Sequence, residues 1–193
     1  MKKIIFATNN EGKMKEIRMI LEGMPYEVLS LKDAGVKVDI DENGTTFEEN
    51  AMIKAKTIME LTNEIVLADD SGLEVDAMDR QPGIYSARFL GEDTSYEVKN
   101  NYILNELKGV PDEKRTARFV CAIACAFPDG RCKTTRGTIE GKIGYKIAGS
   151  NGFGYDPIFF IPEFGCTTAQ LSPEQKNQIS HRAKALNSMK NEL

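Results

Sequence analysis

The spacing of apolar residues changes several times along the chain, and each change marks an element. Lys2-Lys3-Ile4-Ile5-Phe6-Ala7-Thr8 reads as a buried strand. A polar stretch follows and opens into a helix over 11–22, in which Ile17, Ile20 and Leu21 share a face. Thr46-Phe47-Glu48-Glu49 has the form of a capping box and starts a helix to about residue 61, with Phe47, Ala51, Ala55 and Ile58 at helical spacing. The apolar run Ile65-Val66-Leu67-Ala68 reads as a strand that meets Asp69-Asp70-Ser71-Gly72, a sequence with ordinary turn chemistry. Side chains alternate across a strand, so the two aspartates should face opposite ways.

A second box, Thr94-Ser95-Tyr96-Glu97, predicts a helix to about residue 108, ended by Gly109 and Pro111. "ARFVCAIACAF", "PDGR" and "CKTTRGTIEG" then read as strand, turn and returning strand, a β-hairpin. The glycine-rich "GSNGFGYDPIFF" is followed by Ser172-Pro173-Glu174-Gln175, which carries a cap, a proline at the first helical position and the glutamine of a capping box. The order of elements predicts an α/β protein with a mixed β-sheet and flanking helices, not a repeated βαβ winding. It is read as one domain over 1–193.

Composition narrows the class without naming a function. A 41% hydrophobic and 28% charged chain is ordinary for a soluble protein. No segment reaches the roughly 18 apolar residues of a membrane helix, and the first apolar run is shorter than the core of a signal peptide. A cytoplasmic protein with no membrane partner is expected. Cys121, Cys125, Cys132 and Cys166 form no C-x-x-C pair, so reduced thiols are expected in place of a zinc site. A net charge of −4 argues against a nucleic-acid partner but not against a small polyanion.

Four stretches could carry chemistry. In "ATNNEGKMKE" a strand feeds a helix through a short loop, which exposes backbone N–H groups to an anion and adds Lys13. The loop lacks the glycine and hydroxyl pattern of a Walker A motif, and an exposed helix start would look the same. The acidic turn Asp41-Glu42-Asn43-Gly44, with Asp69 and Asp70, could supply the oxygens Mg²⁺ prefers, although a solvated acidic loop reads identically. Phe153 and Tyr155, framed by glycines, could stack on a planar base or fill the core. Lys176, Ser180, His181 and Arg182 form a donor cluster, with Lys176 and Ser180 one turn apart if the helix is continuous. A structural histidine is the bland alternative there.

Taken together, "TNNEGK", "TFEENAMIKAK", "ADDSGL", "PGIYSARF", "GFGYDPIF" and "KNQISHR", in this order, resemble the inosine triphosphate pyrophosphatase family, the bacterial dITP/XTP pyrophosphatases. The resemblance covers nearly the whole chain. It implies Mg²⁺-dependent hydrolysis of ITP, dITP and XTP to the monophosphate and pyrophosphate. It also implies an elongated mixed sheet, two lobes around a central cleft, and a homodimer. By the same resemblance Thr8, Asn10, Lys13 and Lys54 would hold the triphosphate, and Ser71 would meet the substrate. Asp70 would be proton acceptor and metal ligand. Phe153, Gly154, Tyr155, Asp156, Lys176, His181 and Arg182 would form the nucleobase pocket.

The family's acidic turn is often Glu-Glu-x-Gly, so here Asp41 and Glu42 are both candidate metal ligands. Where many members have Gly-Thr-Gly-Gly, this chain has Gly149-Ser150-Asn151-Gly152. Asp69 is assigned to the turn and to a supporting hydrogen bond. A direct metal ligand is a weak base, so a metal-centred role for Asp70 is favoured over base action. Donors on His181 and Arg182 would meet a 6-oxo group and be left unpaired by adenine, which makes Arg182 the expected source of ITP over ATP discrimination. A phosphohydrolase of another substrate and a catalytically silent binding module are the competing classes.

Overall fold

The computed structural model describes residues 2–193. In chain order the strands and α-helices are β1 (Lys2–Phe6), α1 (Glu11–Ile20), β2 (Tyr26–Ser30), α2 (Phe47–Thr62), β3 (Ile65–Val75), β4 (Gln81–Pro82), α3 (Tyr96–Glu106), β5 (Thr116–Ala126), β6 (Cys132–Ile143), β7 (Phe159–Ile161), β8 (Cys166–Thr167), α4 (Pro173–Ile179) and α5 (His181–Lys190). They group into two compact units. The first holds the chain up to Asp70, with Cys121–Gly137 and His181–Leu193; the second holds Ser71–Val120 and Thr138–Ser180. Strands β3, β5 and β6 contribute residues to both.

In the first unit the strand order is β2-β1-β3-β5-β6. β1 pairs in parallel with β2 on one side and β3 on the other, with Ile4 opposite both Val28 and Ile65. Ile4, Phe6, Met14, Ile17, Leu67, Ile123, Leu186 and Met189 form its core. In the second unit β7 pairs antiparallel with β6 and with β8. Its core gathers Leu73, Ile103, Leu107, Phe119, Ile143 and Phe159. Parallel and antiparallel pairs together make the mixed α/β sheet that the pattern predicts.

Several expectations are corrected. Strand β2 departs from the expected order of elements, because a five-residue edge strand, half-exposed at Tyr26, Val28 and Leu29, shows little alternation. Asp69-Asp70-Ser71-Gly72 is not a turn: β3 continues through it to Val75. The ladder to β1 ends at Leu67, so the aspartates stand just beyond the carboxyl end of β1 but in the middle of their own strand. The cap of α3 is Ser95, whose Oγ accepts from Val98 N, while Thr94 Oγ1 donates to Leu90 O. At α2 only half of the box forms: Thr46 Oγ1 accepts from Glu49 N, but Glu49 Oε2 turns back to Thr45 N and Thr45 Oγ1. Ser172 and Gln175 form the full box. The last helix is broken at Ser180, which is extended (φ −66°, ψ 153°), so Lys176 lies in the last turn of α4 and His181 begins α5.

Strand β6 lies tightly against the start of α5. Thr135 Oγ1 donates to Ala185 O at 2.8 Å. A Cβ on Gly137 would fall 2.2 Å from His181 O and 2.7 Å from Ala185 N, both backbone atoms that cannot rotate away. Gly137→Ala is therefore expected to lose about 1–3 kcal/mol of stability in urea unfolding, the usual cost of overpacking.

Candidate active site

Asp69 and Asp70 are both buried, at 1% and 8% exposure. As adjacent residues of one strand they point to opposite faces, and each meets a different set of partners. Asp69 accepts from Lys13 Nζ, 3.1 Å to Oδ1 and 3.0 Å to Oδ2, and lies 3.3 Å from Arg182 Nη2. Arg182 Nη1 donates to Glu16 Oε2, so a buried chain Glu16–Arg182–Asp69–Lys13 ties α5, α1 and β3 together. Asp70 Oδ2 accepts from Asn50 Nδ2 at 3.2 Å, and its Oδ1 stands 4.0 Å from Lys54 Nζ. Lys54 also binds Glu42 Oε2 at 3.0 Å.

The lysines are held by local geometry. Asn10 caps α1, its Oδ1 accepting from Lys13 N at 3.0 Å, and Thr8 Oγ1 accepts from Asn10 N at 3.1 Å. The loop is thus built by its own hydrogen bonds, and Lys13 lies in the first turn of a ten-residue helix. Asn50 and Lys54, four apart on α2, project from the same face. Asn50 Oδ1 accepts from Gly44 N at 2.8 Å, which fastens the acidic turn. Within that turn Glu42 is the residue that reaches Lys54, whereas Asp41 is exposed.

Within this network four carboxylates (Glu16, Glu42, Asp69, Asp70) face three cations (Lys13, Lys54, Arg182). Burial lifts the Asp70 pKa from 3.8 to about 6; Lys54 opposes the rise, while Glu42 and Asp69 add to it. Burial works against the Lys54 charge, but Asp69, Asp70 and Glu42 outweigh it and raise its pKa. The excess negative charge, with hard oxygens on Glu42 and Asp70 converging on one ammonium, fits a divalent cation of the Mg²⁺ type. Such an ion uses one or two carboxylates and takes its remaining ligands from water and phosphate. Among the described residues no cluster of three or more His, Cys, Asp or Glu forms a closed metal cage.

In the second unit Asp156 is the organiser. Its Oδ2 accepts from Phe153 N at 2.9 Å and from Lys176 Nζ at 2.7 Å, and its Oδ1 accepts from Thr168 Oγ1 at 2.7 Å. Lys176 Nζ also lies 4.9 Å from the centre of the Phe153 ring. Gly154 O accepts from Asn100 Nδ2 at 3.1 Å. A cavity of about 330 Å³ beside this loop is lined by Tyr96, Asn100, Gly152, Phe153, Gly154 and Pro157, among others. Tyr155 is buried, its Oη donating to Ser86 O at 2.6 Å and its ring edge-on to Tyr96. The expected shared aromatic face is thus reduced to Phe153.

Thr8, Asn10, Lys13, Lys54 and Asp70 fall in the first unit, as do His181 and Arg182; Ser71, Phe153–Asp156 and Lys176 fall in the second. His181 is buried at the first position of α5. The terminal nitrogens of Arg182 are occupied by Glu16 and Asp69, so this guanidinium braces the carboxylate network. Asn50 and Glu16 escaped the sequence reading. Both were detectable as polar residues on otherwise apolar helix stripes, Asn50 beside Ala51 and Glu16 beside Ile17 and Ile20.

Comparison with known proteins gives the same assignment over the full length. The model of the Ham1 family matches residues 4–192. A dITP/XTP pyrophosphatase of Bacillus licheniformis is 50% identical, over 96% of this chain and 95% of its own. One of Listeria monocytogenes is 48% identical, over 100% and 95%. The solved structure of the Staphylococcus aureus Ham1 protein, 44% identical, superposes with a TM-score of 0.88 over 98% of this chain and 97% of that one. The chain belongs to the Ham1 family.

Two consequences follow for stability. Because the Asp70 pKa is raised on folding, the folded state holds the extra proton between about pH 4 and 6, and stability falls as pH rises through that window. At roughly 1.4 kcal/mol per unit the ionised group costs about 3 kcal/mol above pH 7. Asp70→Asn should therefore raise the melting temperature in EDTA at pH 8, with the gain shrinking towards pH 4. Arg182→Ala, by contrast, leaves Glu16 and Asp69 buried without their cation. Loss of about 3–5 kcal/mol in urea unfolding is expected at neutral pH.

Proposed function

We propose that this chain is a Mg²⁺-dependent nucleoside triphosphate pyrophosphatase that hydrolyses noncanonical purine nucleotides (ITP, dITP and XTP) to the monophosphate and pyrophosphate. The observation that carries the reading is Asp70, buried in mid-strand between Asn50 and Lys54, with Glu42 on the same ammonium. The relatives named dITP/XTP pyrophosphatase supply the substrate class.

Lys13 and Lys54 each rest on a carboxylate and are positioned to exchange it for phosphate oxygens, so a chain of net charge −4 can still take a polyanion. The first turn of α1 adds backbone N–H groups beside Lys13. Glu42 and Asp70 would hold the Mg²⁺, with Asp41 left to solvent. Bound there, the ion supplies charge neutralisation at the phosphates and a more acidic water. A second reading, in which Asp70 itself takes the proton, is favoured by the lift of its pKa to about 6, close to the working range of a general base. Phe153 offers a face to the base, held in place by Asp156, and Lys176 offers a donor beside it. His181 would contribute a ring donor to a 6-oxo group, and Arg182 would act on the base only by leaving Glu16. Exposed Tyr85, Leu90, Val98 and Tyr102 on the second unit are the kind of surface that a homodimer covers.

The test is pyrophosphate release from ITP, XTP, dITP, GTP and ATP, with and without Mg²⁺. Release from the first three only, requiring Mg²⁺ and reduced about 100-fold or more in Asp70→Asn, is the expected outcome. Orthophosphate as the first product, or equal rates on all five, would overturn the reading.

A further inference from the structure

Asn50 is a buried amide in the first turn of α2, 1% exposed, on the face that otherwise carries Phe47, Ala51, Ala55 and Ile58. Asparagine is a poor helix former, and an apolar residue there would extend the stripe. Both ends of its side chain are instead used. Oδ1 accepts from Gly44 N at 2.8 Å, and Nδ2 donates to Asp70 Oδ2 at 3.2 Å. The amide thus hydrogen-bonds both the turn that carries Glu42 and the strand that carries Asp70, which Lys54 spans by charge alone on the Asp70 side.

A second observation concerns Gly44. A Cβ there would fall 2.7 Å from Asn50 Oδ1, 2.8 Å from Glu49 Cβ and 3.0 Å from Asn50 N. The turn is pressed onto the amide so closely that only glycine fits. The consequence for Asp70 is directional. Oδ2 is taken by a neutral donor, and Oδ1 is left on the side of Lys54, the ammonium that Glu42 also meets. A neutral amide can accept from the turn and donate to the strand at once; an aspartate can only accept, and an aliphatic side chain can do neither.

We infer that Asn50 is a positioning residue that sets the spacing of Glu42 and Asp70 for a divalent cation, with Gly44 as the counterpart that lets it do so. This deepens the reading of the site as a Mg²⁺-dependent one and rests on it. Residues that orient metal-binding carboxylates commonly change affinity by about 10–100-fold when removed. Their removal is repaired by excess metal, whereas a general loss of folding or of nucleotide contacts is not.

The experiment uses Mn²⁺ alone as the probe, its binding followed by the loss of the free-ion electron paramagnetic resonance signal on the full chain. Wild type, Asn50→Asp, Asn50→Leu, Gly44→Ala and Asp70→Asn are compared, each below its own melting temperature by circular dichroism. Pyrophosphate release from ITP is then titrated with Mg²⁺. The expected result is Mn²⁺ binding weakened about 10-fold or more in both Asn50→Leu and Gly44→Ala. The Mg²⁺ requirement should rise in parallel, and kcat should recover at saturating Mg²⁺. Gly44→Ala reaches the contact from the turn, so it decides the matter should Asn50→Leu fail to fold. Unchanged Mn²⁺ affinity in Gly44→Ala and the folded Asn50 variants, beside its loss in Asp70→Asn, would overturn the role of Asn50 and leave the Mg²⁺-dependent reading standing. No Mn²⁺ binding by wild type, with no Mg²⁺-stimulated release, would overturn both.

Discussion

Everything at the candidate site depends on two adjacent carboxylates inside one uninterrupted strand. A strand sends neighbouring side chains to opposite faces. Asp69 and Asp70 therefore make their closest contacts with different groups, although both charges act on Lys54. Asp69 is held by Lys13 and Arg182, Asp70 by Asn50 and Lys54. The parallel ladder to β1 ends at Leu67, so on that side both aspartates lie beyond the paired stretch. Ligands of α/β proteins collect beyond the carboxyl ends of strands, and here the strand itself continues into that region.

The support on the two faces differs in kind. On the Asp69 side the carboxylate is matched by cations, with Glu16 closing the chain through Arg182. That side is structural in character: paired, buried and costly to break. On the Asp70 side the partners are a neutral amide and a lysine that also meets Glu42. Burial, which Lys54 offsets only in part and to which Glu42 and Asp69 add, is why the Asp70 pKa stands near 6 instead of in the usual carboxylate range.

The second unit applies the same economy to an aromatic loop. Asp156 collects Phe153 N, Thr168 Oγ1 and Lys176 Nζ on two oxygens, so a glycine-rich segment with little intrinsic order is fixed by one buried acid. Gly152 is required beside it, since a Cβ would fall 2.2 Å from Asp156 Oδ2. Tyr155, by sending its hydroxyl to Ser86 O, anchors the loop to the core and leaves Phe153, half-buried, as the remaining ring face.

Local patterns were enough to read where the helices begin to within a residue or two, the Ser172–Gln175 box, the hairpin, the mixed α/β class and the opposed faces of Asp69 and Asp70. These follow from periodicity and from hydrogen bonds made within a few residues. Ordered motifs over the whole length were enough to read the family. Folding alone decided that Asp-Asp-Ser-Gly stays a strand, because the burial of Leu73 and Val75 at 0% exposure outweighs the turn preference of those four residues. It decided that Ser180 breaks the last helix, that Tyr155 turns inward and that Arg182 meets Glu16, 166 residues away in sequence. It also made Asn50 and Glu42, not Asp41, the companions of Asp70. Contacts across such separations depend on where distant segments pack, and no local spacing of residue types encodes that.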